Sequence, residues 1–265
     1  MYKLGFIGCG NMATAIIGGA VTSDFLKGNE ICVFDVDTQK ADFLGNEYGV
    51  KTSVTVEELA ESCEFVVLAV KPQVFPTVLP QIKEKLNNAT VVSIGAGKTL
   101  EFIGSFLNNN TPVIRVMPNI NAKVGASMSA VCKNDCTADN ALEFVKGLCK
   151  SFGEVMELTE SQFPLFGVIA GCSPAYSFMF IDSMAREAVK NGMKKDEALK
   201  ICAQAVLGSA KMILNDKENN PWALINSVCS PGGTTIEGVA KLLSEGFDTA
   251  VMDAVKASLD KDKKL

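Results

Sequence analysis

Three hydroxyls and two glycines fall within six residues, Ser230-Pro231-Gly232-Gly233-Thr234-Thr235. The flanks, WALINSVC and IEGVAKLL, both read as helix, so the six residues form a break between two helices. The second helix is expected to start near Thr235. Its free N–H groups, with those of Gly232, Gly233 and Thr234, make a cradle for a small anion. Glycine at 232 and 233 allows backbone geometry that a Cβ would forbid. A plain turn with threonine caps is the competing reading. It explains the hydroxyls but not the double glycine.

A second constellation lies at the start, where GFIGCGNMA places Gly8, Gly10 and Ala13 in a G-x-G-x-x-A pattern between a strand and a helix. Gly8 permits a tight turn, Gly10 lets backbone approach a pyrophosphate, and Ala13 lets the helix pack on the sheet. Cys9, Asn11 and Met12 complete the turn, whose helix start offers N–H groups to the anion. Asp35 ends the next strand, where a carboxylate can accept hydrogen bonds from the adenosine ribose, each worth about 1.5–3 kcal/mol. A 2′-phosphate there would be repelled by about 4 kcal/mol per unit charge at 4 Å and an effective dielectric of 20. Lys40 offsets part of that, so the cofactor is NADH or NADPH, with NADH favoured. A cap for the Asp37–Gln39 region is the alternative role of Asp35. Ala69-Val70-Lys71-Pro72 closes another apolar strand, at the edge that faces the cofactor crevice. Lys71 is either a cofactor contact or a surface charge. Gly95 and Ala96, after the Thr90–Ile94 strand, join the cofactor set.

Composition narrows the chemistry. The 265 residues include no histidine, which excludes a Ser-His-Asp mechanism and leaves Tyr, Lys, Asp, Glu, Thr or water for proton transfer. Nine cysteines, mostly in apolar runs, read as reduced thiols of a cytosolic protein. Only Cys132 and Cys136 lie close together, too few ligands for zinc, so no metal is expected. The formal charge of −5 argues against nucleic acid or an anionic membrane as partner. Three glycines interrupt the apolar stretch before Val21, so no signal peptide is expected. The later stretch Gly167 to Ile181 falls short of the ~20 residues of a spanning helix. The expectation is a cytoplasmic protein with no membrane segment.

The elements that must hold these residues come in two rhythms. In the first half short apolar strands alternate with helices: Lys3–Gly8, Glu30–Asp35, Phe65–Val70, Thr90–Ile94 and Val113–Val116, with helices at Met12–Val21 and Thr38–Tyr48. Thr55-x-x-Glu58 reads as a capping box opening a short helix. The pattern implies an α/β fold whose N-terminal part, 1–158, is a Rossmann-like, doubly wound, mostly parallel sheet. From 159 to 265 the chain reads as an all-α domain with helices at Phe163–Lys190, Asp196–Asn215, Pro221–Cys229 and Thr235–Leu259. Asp196 reads as an N-cap, and the tail KDKKL as a frayed end. Several of these helices are apolar around most of their circumference. The surplus is expected to pack against another subunit.

Together, GFIGCGNMATAI, LAVKPQ, RVMPN, SPAY and VCSPGGTTIEGV resemble the pyrroline-5-carboxylate reductase family over essentially the whole chain. The resemblance implies hydride transfer from the nicotinamide to the imine carbon of a five-membered ring bearing a carboxylate. A protonated imine is already electrophilic, so no imidazole is required. It implies that Ser230 and the backbone of 233–235 bind the ring carboxylate and that the Thr235 hydroxyl reaches the ring nitrogen. It also implies a homodimer through the helical domain, possibly assembled into a decamer. Departures lie at Ile120-Asn121, where the family usually has Thr-Pro, and at Ala170-Gly171-Cys172-Ser173, often Ser-Gly-Ser-Gly. Both fall near the expected substrate pocket and bear on ring size. Val56 stands where many members have Asn, and Asp35 where a small or basic residue is common. A β-hydroxyacid dehydrogenase shares the two-domain plan but would resemble a lysine-assisted catalyst, and Phe163 to Val189 holds no lysine. A non-catalytic dinucleotide sensor would have no use for the 230–235 break.

Overall fold

The computed structural model describes residues 1–215 and 220–263. Eight strands form one sheet in the order β3-β2-β1-β4-β5-β6-β7-β8. They are β1 (Tyr2–Ile7), β2 (Ile31–Phe34), β3 (Lys51–Thr52), β4 (Cys63–Leu68), β5 (Thr90–Ser93), β6 (Val113–Met117), β7 (Ser127–Lys133) and β8 (Gly153–Glu157). Every pairing is parallel except β6 with β7. Helices α1 (Asn11–Thr22), α2 (Thr38–Tyr48), α3 (Val56–Ser62), α4 (Phe75–Ile82), α5 (Leu100–Gly104) and α6 (Asp139–Lys150) connect them.

The side chains of β4 show why the sheet is covered twice. Phe65 and Val67 enter one core with Ile16, Ile17 and Leu148, whereas Val66 and Leu68 enter the other with Leu79, Ile82 and Ile103. A period of two with both faces apolar is the pattern of a strand buried on both sides.

Three strands escape the sequence reading. β7 carries buried Ser127 and Ser129 and so breaks the apolar run. β8 is an edge strand with largely exposed residues, and β3 has only two residues. Thr55 caps α3 by accepting a hydrogen bond from Glu58 N at 3.1 Å. The reciprocal half of the expected box is shifted: Glu58 accepts from Val54 N and Ser53 Oγ, each at 3.0 Å.

The helical region follows as α7 (Phe163–Phe166), a π-helical turn Gly167–Cys172, α8 (Ser173–Lys190), α9 (Lys195–Asn215), α10 (Pro221–Val228), α11 (Thr234–Ser244) and α12 (Phe247–Asp262). The single helices expected over Phe163–Lys190 and Thr235–Leu259 are therefore each divided. The first widens into a π-turn just before Pro174, and the second stops at Gly246, whose φ of +76° ends the helix. Asp196 lies inside the first turn of α9 rather than capping it. Part of the expected frayed tail, residues 264–265, lies outside the described residues.

The chain divides into two compact units, Met1–Gly171 and a second beginning at Cys172. The first unit takes in residues 160–170, which are fastened to the sheet. Arg115 Nη1 donates to Glu160 Oε1 at 3.0 Å, and Phe163 packs with Ala130 and Cys132. In the second unit the apolar faces stay open, with Phe178 60% and Met179 70% exposed. The helical run Glu160–Lys190, 31 residues with a mean hydropathy of 1.5 in its most apolar window, is long and apolar enough to cross a membrane by length and composition. It thus exceeds the shorter stretch read from sequence.

Candidate active site

The turn after β1 is built by three strand ends. Gly8 N donates to Phe34 O at 2.7 Å, and Ala69 N donates to Ile7 O at 2.9 Å. Gly8 has φ +104°, and a Cβ on it would lie 2.8 Å from the Ala69 carbonyl. Both the conformation and the close approach require glycine here. Gly10 differs. A Cβ there would meet nothing within 4 Å, so space stands open over the turn.

Gly10 is also the extended N-cap of α1, with no side-chain cap and no acid in the first turn. The first helical bond runs from Thr14 N to Gly10 O, leaving the N–H groups of Asn11, Met12 and Ala13 without intrahelical acceptors. An open, uncapped helix start behind a glycine turn fits a pyrophosphate. Ala13 is buried, as close packing on the sheet demands.

Asp35 does two jobs in this turn. Its Oδ2 accepts from Cys9 N at 2.7 Å, and its Oδ1 accepts from Asp37 N at 2.9 Å. It therefore braces the glycine turn and the approach to α2 together. Each oxygen keeps a further lone pair for a ribose hydroxyl. Lys40 pairs with Asp37 at 3.2 Å, and that hydrogen bond and charge raise its pKa. Burial, and then the charge of Asp35, push the Cys9 thiol up to about 12, so it stays a neutral part of the turn.

The other cofactor candidates lie along the same carboxyl edge. Ala69 and Val70 are half-buried beneath Gly8. Lys71 is exposed and its carbonyl accepts from Val74 N at 2.9 Å, closing the 3-10 turn Pro72–Val74. Gly95 is buried, and a Cβ there would come 2.6 Å from the Phe75 ring, which gives this glycine a packing role. Ala96 is exposed beside it. Val56 is buried in the core as the first residue of α3.

In the second unit Ser230–Thr235 forms the expected break. Gly232 has φ +67°, and Gly233 N donates to Ser230 O at 3.0 Å. A Cβ on Gly233 would collide with Ser230 Oγ. Gly233 is the extended N-cap of α11, without a side-chain cap. The helix begins at Thr234, so the N–H groups of Thr234, Thr235 and Ile236 have no intrahelical acceptors. Ser230, Thr234 and Thr235 are exposed. A left-handed glycine before an uncapped helix of 11 residues leaves a start that suits a small anion.

Two polar residues outside the predicted site are buried in the RVMPN stretch. Asn119 is 7% exposed and Arg115 is 5% exposed. Asn119 Nδ2 donates to Ala170 O at 2.9 Å, and its Oδ1 accepts from Asn121 N at 3.3 Å. A polar residue at the end of an apolar strand was the available signal.

Residues 160–265 match the family described as pyrroline-5-carboxylate reductase dimerisation, and residues 3–97 match the one described as NADP oxidoreductase coenzyme F420-dependent. The pyrroline-5-carboxylate reductase of Escherichia coli (strain K12) is 41% identical over 99% of this chain and 98% of its own. Among solved structures, a pyrroline-5-carboxylate reductase from Coxiella burnetii superimposes with a TM-score of 0.92 at 28% identity, over 99% of this chain and 98% of that one. The pyrroline carboxylate reductase of Plasmodium falciparum, with NADP bound, gives 0.88 at 28% identity, covering 99% and 97%.

Proposed function

Because the chain belongs to the pyrroline-5-carboxylate reductase family, we propose that it reduces 1-pyrroline-5-carboxylate to L-proline and prefers NADH to NADPH. It is an oxidoreductase of the C=N bond that uses a nicotinamide dinucleotide. When bound, the reduced nicotinamide supplies the hydride that the imine carbon accepts. The chain's own residues bind, orient and protonate.

The observation that carries the substrate reading is the start of α11. The Gly233 N–H is already donated to Ser230 O, whereas the N–H groups of Thr234 and Thr235, behind Gly232 at φ +67°, have neither an intrahelical acceptor nor a side-chain cap beside them. They take the ring carboxylate, with Ser230 beside them. The exposed Thr235 hydroxyl donates to the ring nitrogen, and this hydrogen bond polarises the C=N bond so that its carbon accepts hydride as the nitrogen takes a proton, without an imidazole. At the other ligand, the amides of Asn11, Met12 and Ala13 hold the pyrophosphate. Gly8, Cys9, Gly10 and the 69–72 and 95–96 edges shape the crevice.

Asp35 supports the NADH preference. Its carboxylate is anchored at both oxygens at the end of β2, and Lys40, the cation that could offset its charge, is paired with Asp37. The protein works as a cytoplasmic homodimer mated through the open apolar faces of α8 and its neighbours, with a decamer as the larger form. The test is oxidation of NADH and of NADPH with the five- and the six-membered cyclic imino acids. Turnover is expected with NADH and the five-membered ring, more slowly with NADPH. No turnover with either cofactor would remove the reading. Asp35→Ser is expected to move the NADPH-to-NADH ratio of kcat/KM up by at least about tenfold, given the size of the charge repulsion removed.

A further inference from the structure

The reading above leaves RVMPN without a task, although it holds two buried polar side chains. Its residues alternate. Arg115 and Met117 are two apart on β6, and Asn119 continues the extended backbone with φ −124° and ψ 173°. A period of two puts all three on one face.

Each meets a different point of the segment that follows β8. The Arg115 guanidinium pairs with Glu160 at 3.0 Å and lies 4.5 Å from the centre of the Phe163 ring. Met117 Sδ lies where a Cβ on Gly167 would be 2.9 Å away. Asn119 Nδ2 donates to the Ala170 carbonyl at 2.9 Å. Positions 163, 167 and 170 run from the short helix α7 into the π-turn that continues it. One face of a strand is thus laid along a helical segment, with three points of register.

The last point answers a local need. In an α-helix the Ala170 carbonyl would accept the N–H of residue 174, and residue 174 is proline. The turn there is π-helical, and the Asn119 amide supplies a donor from outside. Asparagine suits the place because its side chain donates and accepts at once. Its oxygen takes Asn121 N while its nitrogen serves Ala170. Its own main-chain N donates to buried Ser127 Oγ at 3.2 Å. The loop leaving β6 is therefore fixed at three places by one residue. That loop stands at the carboxyl end of a parallel strand, the edge where ligands of this fold bind.

We propose that Asn119 is a positioning residue for hydride transfer, acting through its hydrogen bond to the Ala170 carbonyl in the π-turn. The proposal rests on the imine-reductase reading. A loop shifted by about 1 Å at the crevice costs up to about 10²-fold in rate, while a dinucleotide held at the β1–α1 turn is undisturbed.

The experiment compares Asn119→Asp and Asn119→Ala with the parent enzyme from pH 5 to pH 9, each rate divided by the parent's at the same pH. Activity of the parent tests the underlying reading separately. At pH 8 both variants are expected to lose at least about tenfold in kcat, with NADH affinity within twofold of the parent. As pH falls, the introduced carboxyl gains a proton and can donate to Ala170 O. The relative kcat of Asn119→Asp is then expected to recover, whereas that of Asn119→Ala stays flat. A parallel profile for the two variants, or kcat within twofold of the parent in both, would overturn the proposal. If Asn119→Asp does not fold, Asn119→Ser replaces it. It is expected to show the same kcat loss with NADH affinity kept, and equal loss of both would reduce Asn119 to a folding role.

Discussion

At the residue scale, each of the two proposed binding turns relies on backbone amides more than on side chains. Gly8 and Gly232 adopt positive φ where a Cβ would be strained, and each stands just ahead of a helix start with no side-chain cap. Thr235 is the one hydroxyl assigned to the reacting ring. Thr235→Ala should lower kcat by about 10²-fold, the low end for a positioned proton donor, and leave NADH affinity intact in a fluorescence titration. Equal loss of both would assign Thr235 to folding. The backbone geometry of both turns was legible, because a glycine beside hydroxyls or between a strand and a helix has few physical explanations. Asp35 was half legible. Its place at the end of β2 suggested a ligand contact, but its bonds to Cys9 N and Asp37 N depend on how two loops meet. Asn119 was not legible as a positioning residue, since its partner Ala170 lies 51 residues away in sequence.

Elements were readable wherever burial was uniform. The apolar runs of β1, β2, β4, β5 and β6 announce strands covered on both faces. β7 hides because Ser127 and Ser129 are buried as hydrogen-bonded hydroxyls, which the apolar pattern does not register. The π-turn before Pro174 and the stop at Gly246 likewise follow from single residues inside long helical patterns. At the start of α11 the same kind of local rule is open to test. Gly232→Ala forces a Cβ into the left-handed region at a cost of about 1–2 kcal/mol. We expect a higher KM for the imino acid with unchanged NADH affinity. An unchanged KM would show that this geometry is not what holds the carboxylate.

For the whole molecule, two properties follow from what is buried and what is left open. Burial, as the leading cause, pushes the thiols of Cys9, Cys132 and Cys149 up to about 12 from an ordinary 9.0. Below pH 9 these groups are protonated in both states and contribute nothing. Between about pH 9 and 12 the unfolded chain releases protons that the folded chain keeps, so stability falls as pH rises through that window. Denaturant midpoints measured from pH 8 to 11 should decline, and a flat curve would contradict the burial of these thiols. The second unit, by contrast, leaves Phe178 and Met179 in water. Phe178→Asp should shift the sedimenting species from dimer to monomer, and an unchanged dimer would place the contact elsewhere. The two-unit plan was visible in the change of rhythm. The fastening of the first turns of the helical region to the sheet by Arg115, Met117 and Asn119 was not, because these contacts join segments far apart in sequence.

The central claim is that amides at the start of α11 grip the acid group of a cyclic imino acid. The most direct measurement is a crystal structure of the enzyme with NADH and a proline analogue. The carboxylate is expected about 2.7–3.2 Å from the amide nitrogens of Thr234 and Thr235. A carboxylate bound away from those amides would contradict the account.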